Sequence, residues 1–441
     1  MPSTLEEWLA YQSGVHPRPI DLGLDRLRTV LARLGFRRPP LPVVTVAGTN
    51  GKGSVVATSA AILAAAGLRV GVFSSPHLRD YRERIRVAGH LVEAEKLVAA
   101  FERIERSRGD TGLTFFEYNT LAALLIFEAA ELDAWVLEIG MGGRLDAVNV
   151  IDADAAVVVS IGFDHQEYLG DTLEQIGREK AGVFRAGRAA VLGGRDLPPV
   201  VQQRARDVGA RLKRLGEEFD FHRQGRRWRY EGPRWRFLDL PPSNLRGEMQ
   251  YQNAATAIAA LEELNTARPI DERAIAAGLV RVTLEGRFQV VEPSGPGQPS
   301  WILDVAHNPA AAAVLAGNLR ATRGSGRTLA VCGVLADKDA ASVCDALADC
   351  VDGWWFATTT GERGQSGAAL AARAAGRLRT GFATADSIES GCEAALRAAR
   401  AGDRILVFGS FHVVGPALDW LDAHGLLREG AANAYTPARG A

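Results

Sequence analysis

The stretch VVTVAGTNGKGSVVATSAAILAAAG, Val43 to Gly67, decides the fold. Its first five residues are an apolar run of strand length, bounded by Gly48, and read as a buried strand. Glycines 48, 51 and 53 then make a turn, and the small-residue pattern after it reads as a helix ending at Gly67. Strand, glycine-rich turn and helix in that order let backbone N–H groups converge on an anion, and the helix start adds its positive end. The spacing is not the common one. The usual phosphate loop is G-x-x-x-x-G-K-[ST]. Here Gly53 separates Lys52 from Ser54, and Val46 stands five places before Gly51. Lys52 still has the reach for outer phosphates, and the Ser54 hydroxyl is of the type that ligates Mg²⁺. A glycine-rich turn of no function is the competing reading. It leaves the lysine and the hydroxyl unexplained.

Working outward, RVGVFSS, AWVLEIG and AAVVVSIG are further buried strands, and EAEKLVAAFERIERS and FEYNTLAALLIFEAA are helices between them. Strands alternating with helices predict a parallel sheet covered on both faces. RRWRYEGPRWRFLDL alternates at period two around a Gly-Pro turn, which predicts a β-hairpin at the rim. Pro and Gly cluster between Pro293 and Pro299, and a new strand–helix series follows with WILDVAH, TLAVCGV, GWWFATT and RILVFGS as strands. The fold class is therefore α/β in two domains. Residues 1–284 form an N-terminal phosphate-loop-type domain with a parallel sheet, and residues 285–441 a smaller Rossmann-like α/β domain. The tail EGAANAYTPARGA is expected to fray. There is no internal repeat.

The 441 residues carry a net charge of −1 and are 47% hydrophobic. That balance gives no electrostatic footprint for nucleic acid or an anionic membrane. The longest apolar stretch is broken by Glu128, Glu131 and Asp133, so no membrane span is expected. The N-terminus carries acids early and reads as no secretory signal. A cytoplasmic monomer is the expectation. Cys332, Cys344, Cys350 and Cys392 form no C-x-x-C pair and read as reduced, buried thiols rather than disulfides or a zinc site. Of 51 basic residues only five are lysine: Lys52, Lys96, Lys180, Lys213 and Lys338. Where this chain uses lysine, the chemistry is suspected to require an amine.

LEIGMGGRLDAVN places Glu138 near the end of a buried strand, where open α/β sheets hold ligands. A carboxylate in so apolar a run needs a partner, either magnesium or an arginine. Asp146 follows in a glycine-rich loop. SIGFDHQEYLGDTLEQIGREKAG brings Asp164 and His165 to the end of another strand. His165 is a candidate ligand or a histidine bonded to backbone. Thr172 and Gln175 make a capping box that starts a helix stopping near Gly182. Lys180 lies in its last turn. Alone it would be a solvated helix residue, but a primary amine can lose its proton when desolvated and react with an electrophile, which arginine cannot. DVAHNPAA and VFGSFHVVG both follow apolar strands, so their polar residues share one edge of the second sheet. His307 and His412 each admit a structural reading, and His412 is assigned it. Arg287, near the domain junction, is either a phosphate contact or a surface arginine.

AGTNGKGS, SSPHL, LEIGMGGRLDAVN, FDHQEYLGDTLEQIGREKAG, DVAHNP and FGSFHVVG together resemble folylpolyglutamate synthase and dihydrofolate synthase, of the Mur ligase superfamily. The resemblance runs from about residue 20 to about residue 425, and the altered loop spacing is that superfamily's own. It implies ATP-dependent amide formation: phosphoryl transfer to a carboxylate of dihydropteroate or a reduced folate, then attack by the amine of L-glutamate. Thr49, Asn50, Gly51, Lys52, Gly53 and Ser54 would hold the ATP phosphates. Ser54 and Glu138 would bind one Mg²⁺, and Glu138 and His165 a second. Histidine is an uncommon magnesium ligand, so that role rests on the resemblance. Lys180 matches a lysine carbamylated by CO₂, whose anion orients the second metal. A role for K⁺ is neither required nor excluded. Asn253, Arg287 and Asp304 match nucleotide contacts. His307 and Ser410 match positions for the incoming glutamate, and Thr114, Phe116, Asp146 and Ala147 match the pteroate pocket. The Ser75-Pro76-His77 loop would border the same cleft. Glu138, His165, Lys180 and His307 are the catalytic set.

Two rivals were weighed. A muropeptide ligase would carry a further N-terminal domain of about a hundred residues, and a phosphate loop starting at Gly48 is read as leaving no room for it. A nucleotide-hydrolysing switch would not need the paired DVAHNP and FGSFHVVG edges.

Overall fold

The computed structural model describes residues 2–292, 295 and 297–427. The tail expected to fray, from Glu429 onward, lies outside the described residues. The first sheet has eight strands: β1 (Val43–Ala47), β2 (Val70–Phe73), β3 (Ile85–Val87), β4 (His90–Leu91), β5 (Ala134–Glu138), β6 (Ala155–Val158), β7 (Ala189–Leu192) and β8 (Arg211–Arg214). Their order is β4-β3-β2-β5-β1-β6-β7-β8. From β2 to β8 every pairing is parallel, while β3 and β4 run antiparallel at one edge. The sequence reading missed that edge, because β3 and β4 are only three and two residues long and too short to show a period.

The central strands are apolar on both faces because both faces are covered. One core holds Phe73, Leu137, Val158 and the helix Phe115–Ala129. The other holds Val72, Val136, Val157 and the helix Lys52–Ala65. Small residues let the second helix lie close to its neighbours. Gly278, in the helix Glu272–Arg281, sits where a methyl group would meet the Ile62 backbone at 2.6 Å. The predicted hairpin is present as β10 (Arg227–Glu231) and β11 (Arg236–Leu240), extended by β9 (Asp220–Gln224) into a three-stranded antiparallel sheet.

The second lobe is a six-stranded sheet of β12 (Gln289–Val291), β13 (Ser300–Asp304), β14 (Thr328–Cys332), β15 (Gly353–Ala357), β16 (Phe382–Ala385) and β17 (Arg404–Phe408). The order is β12-β13-β17-β14-β15-β16, parallel except for β12. The four cysteines are buried free thiols, as expected. Among the described residues no helix is long and apolar enough to cross a membrane.

One loop of the first lobe is built into the second. Leu78 packs on the second lobe's core, and a methyl group at Gly415 would run into the Leu78 carbonyl. Beside it Arg79 reaches Asp419 at 2.6 Å and Asp422 at 2.8 Å. Both acids are well exposed, so these pairs add little stability; the apolar contact fixes the loop.

Candidate active site

β1 delivers the phosphate loop. Gly48 and Gly51 have φ of +150° and +85°. A side chain at Gly51 would also meet Val159 at 2.8 Å and Asn253 Oδ1 at 2.9 Å, so only glycine fits. Lys52 opens the helix, and its Nζ donates to the carbonyls of Gly48 (3.1 Å) and Thr49 (3.2 Å). Lys180 reaches the same carbonyl: its Nζ donates to Gly48 O at 3.0 Å across 132 positions of sequence. Lys180 is not the solvated helix residue that its position alone suggests. It is 4% exposed, and burial, with the Lys52 charge beside it, brings its ammonium down to about 7. The capping box of Thr172 and Gln175 that starts its helix is present.

Glu138 ends β5, between β2 and β1, at the centre of the sheet edge. It is 5% exposed, and burial raises its carboxyl against the opposing charges of Lys52 and Arg287. Among the described residues its one hydrogen bond is from Ser75 N at 3.4 Å, and no arginine lies within ion-pair distance. Ser54 is also buried, and among the described residues its hydroxyl makes no hydrogen bond. A buried carboxylate held by a single long hydrogen bond is costly unless something further completes it. Among the described residues no three His, Cys, Asp or Glu side chains converge to cage a metal by themselves. One carboxylate and one hydroxyl beside a phosphate site nonetheless suit a divalent cation that takes its other ligands from nucleotide. The residues fit magnesium or manganese. They do not fit the arginine pairing that was the alternative.

The second lobe meets this edge at Asp164. Lys338 Nζ lies 2.6 Å from its carboxylate, His307 Nε2 3.4 Å and His165 Nε2 3.8 Å. Burial opposes its ionisation, yet His307, His165 and Lys338 hold the Asp164 carboxyl well below its ordinary range. His165 sits at φ +52°, its ring bonded to no backbone group; burial depresses it to about 4. A second bridge is the amide pair Asn50–Asn308, at 3.0 and 3.2 Å. Arg287 lies half-buried over the Phe411 ring, 5.1 Å to its centroid, rather than projecting from the surface. Asp304 accepts from Phe288 N and Ala306 N, both at 2.8 Å. Ser410 Oγ is buried without a partner at the start of the last helix. His412, two residues further on, is exposed.

The substrate set lies on the other face of the sheet from the phosphate-loop helix. Thr114 caps the helix Phe115–Ala129 in a box with Glu117, so its hydroxyl is already committed. Phe116 covers Gly140, where a methyl group would meet its ring at 2.5 Å, and lies 5.9 Å from Phe73. Asp146 is buried before Ala147 and accepts from Met141 N (2.8 Å) and Val148 N (3.0 Å); burial pushes it up to about 6. His77 Nδ1 accepts from Arg84 Nε at 2.8 Å. A cavity of about 280 Å³ runs from Glu138, Ser75 and Arg287 along the phosphate-loop helix to Gly67 and Arg69. It does not include Thr114, Phe116, Asp146 or Ala147. This cavity and the predicted substrate pocket thus lie on opposite faces of the sheet.

The sequence reading gave no role to Asp164, Lys338, Asn308 or Arg84. Lys338 carried a signal, as one of five lysines. Not every lysine did: Lys96 pairs with Glu93 and Lys213 with Glu263.

A phosphate loop, a buried acid beside it and a second α/β lobe closing on both define the class of Mur-type ligases. The family described as "Mur ligase middle domain" matches residues 46–261, and "Mur ligase, glutamate ligase domain" matches residues 286–411. The chain belongs to the dihydrofolate synthase/folylpolyglutamate synthase family. It is 44% identical over 421 residues to the protein of that name from Escherichia coli K12, covering 96% of each chain. The E. coli FolC structure in complex with DHPP and ADP has 43% identity and a TM-score of 0.90, covering 96% of this chain and 100% of that one. A bifunctional folylpolyglutamate synthase/dihydrofolate synthase with Mn, AMPPNP and L-glutamate bound has 41% identity and a TM-score of 0.87, covering 95% and 98%. The chain is an ATP-dependent ligase that makes folate glutamate amides.

Proposed function

We propose that the enzyme joins L-glutamate both to dihydropteroate and to reduced folates, by way of an acyl phosphate. A carboxylate oxygen of the acid attacks the γ-phosphorus of ATP, and ADP leaves. The amine nitrogen of glutamate then attacks the acyl carbon, loses its proton, and inorganic phosphate leaves with the carbon–oxygen electron pair. The observation that carries this reading is the convergence of Lys52, Lys180 and Glu138 on the loop at Gly48. Two anions must meet there, and the Lys52 ammonium beside the buried Glu138 carboxylate, with a divalent cation between them and the phosphates, would screen such a meeting.

Residues Thr49 to Ser54 hold the phosphates, with Asn253, Arg287 and Asp304 on the nucleotide. Ser54 and Glu138 hold one divalent cation, and Glu138, His165 and a carbamate of Lys180 a second. When bound, the cations supply charge neutralisation between phosphate and carboxylate. Lys180 suits the carbamate because burial and the Lys52 charge lower its ammonium to about 7, so a neutral amine is available to add to CO₂ with loss of a proton. His307, held between the Val305 carbonyl (2.9 Å) and Asp164, and Ser410, with its free hydroxyl, orient the incoming amine. Thr114, Phe116, Asp146, Ala147, Ser75 and His77 bound the acid substrate. Residues 1–284 and 285–441 act as the two lobes of a cytoplasmic monomer.

The test is turnover with the acid labelled with ¹⁸O in its carboxylate, offering dihydropteroate and tetrahydrofolate separately. Label is expected in inorganic phosphate with each acid. Unlabelled phosphate would remove the acyl phosphate, and absence of turnover with dihydropteroate would leave a folylpolyglutamate synthase alone.

A further inference from the structure

The stretch LEIGMGGRLDAVN holds more than Glu138 and Asp146. Its Gly143, Arg144 and Asn149 converge on the backbone around Lys180. Lys180 is the last residue of an eight-residue helix, Leu173–Lys180. The last carbonyls of a helix have no partner within it, and helix ends fray. A long side chain rooted there reaches Gly48 in one position only if something outside the helix holds that turn.

The loop after β5 supplies the hold. Arg144 N donates to Glu179 O at 2.8 Å, and the Arg144 guanidinium pairs with the Glu179 carboxylate at 2.9 Å. A methyl group at Gly143 would meet the Lys180 carbonyl oxygen at 2.6 Å, and one at Gly182 would run into Arg144. Loop and lysine backbone are therefore in direct contact, and Asn149 bolts them together. It is buried, and its Nδ2 donates to Arg144 O (3.0 Å) and Gly182 O (3.2 Å). Its Oδ1 accepts from Arg185 Nη2 at 3.0 Å. The two carbonyls only accept and the guanidinium only donates, so the amide fits in one orientation. The Asn149 N–H donates in turn to Asp146 O at 2.9 Å. One residue thus ties the Asp146 loop to the turn that follows Lys180.

We infer that Asn149 is a positioning residue for the ligation, fixing the Lys180 backbone against the Asp146 loop so that the amine stands at Gly48 in one place. This rests on the carbamate of Lys180 proposed above. In that step Nζ bonds to the carbon of CO₂, one C–O π pair moves onto oxygen, and a proton leaves the nitrogen. A displaced amine still reacts, but its carbamate loses the setting that stabilises it.

The test is titration with ¹³C-bicarbonate, following the carbamate signal by NMR; Lys180→Arg, which lacks the signal, assigns it. In Asn149→Ala the half-saturating bicarbonate is expected to rise about tenfold. Turnover at ambient CO₂ should fall at least about tenfold and recover severalfold as bicarbonate is added. Asn149→Asp sets a carboxylate oxygen against two carbonyls and is expected to be impaired at least as far. Arg404 is the control for a merely structural loss: it is buried in the second lobe and bonded to Thr328, Thr322 and Leu319. Arg404→Ala should lower the urea midpoint and leave bicarbonate saturation unchanged. Binding of a fluorescent ATP analogue reports that each variant is folded. Where Asn149→Ala does not fold, Asn149→Ser, with one donor left, carries the same test at about threefold. Wild-type saturation in the Asn149 variants overturns the inference. So does turnover that added bicarbonate does not raise, or an equal shift in Arg404→Ala. A wild type without any carbamate signal removes the role of Lys180 itself, and that of Asn149 with it.

Discussion

The two lobes contribute to the cleft in different ways. In the first, Lys52, Lys180 and Glu138 are held by their own fold: strand ends place them, and their hydrogen bonds are to the backbone of the same lobe. In the second, Lys338, His307 and Asn308 each reach across the gap as well, to Asp164 and Asn50. Activation of the acid is therefore prepared within one body, and capture of the amine is assembled between two. A lobe that must preload charge accepts the cost of burying it. A lobe that must open for substrates makes its contacts late.

The largest effect is expected from Glu138→Gln or Lys180→Arg, which strike the prepared half. Turnover should fall about a thousandfold or more in a coupled ADP assay, while affinity for a fluorescent ATP analogue changes far less. Retained turnover in Lys180→Arg would refute the carbamate. Next comes Lys338→Met, which strands a buried Asp164 charge. We expect kcat/KM for L-glutamate to fall about a hundredfold, with ¹⁸O transfer from acid to phosphate much less affected. Restoration of part of that loss by adding Asp164→Asn would sharpen the contrast; equal damage to both steps would erase it.

If burial in the first lobe is a standing cost, Asp146 should show it in stability. Its folded carboxyl titrates near 6, above the unfolded value near 3.9. Between those values the native state binds the extra proton, so stability falls as pH rises through the window, and the full cost is present above it. Asp146→Asn should remove up to about 2–3 kcal/mol of this pH dependence, read from urea unfolding at pH 4 and pH 7. An unchanged difference between the two pH values would contradict the burial argument. Gly415→Ala places a methyl group against the Leu78 carbonyl and should cost about 1–2 kcal/mol, with kcat lowered severalfold by hindered closure. Unaltered kcat would show that the loop is not coupled to the second lobe. The smallest effect is Arg69→Ala. This exposed pair with Glu131, at 2.9 Å, should matter by less than about 0.5 kcal/mol in thermal unfolding.

What the sequence made legible was local. The strand, turn and helix around Lys52, the capping box before Lys180 and the acid ending β5 are each encoded within a few residues, where period and spacing can be read. What escaped was distant or too short. Asp164 and Lys338 are 174 positions apart, and no pattern joins them. β3 and β4 are too brief to alternate. Thr114 and Glu117 spell a capping box in plain view, but assigning Thr114 to a pocket passed over the hydrogen bonds its helix claims first. Arg287 could be read either way, because arginine-rich surfaces hide a half-buried arginine from composition alone.

The scarcity of lysine has a practical corollary. Lys96 is the one lysine that projects freely into solvent among the described residues, and the other four are sheltered. An amine-reactive mass tag would therefore ignore almost the entire exterior of the molecule. After Lys96 is accounted for, the rate at which label reaches the remaining lysines would report nucleotide occupancy and lobe movement without any engineered probe.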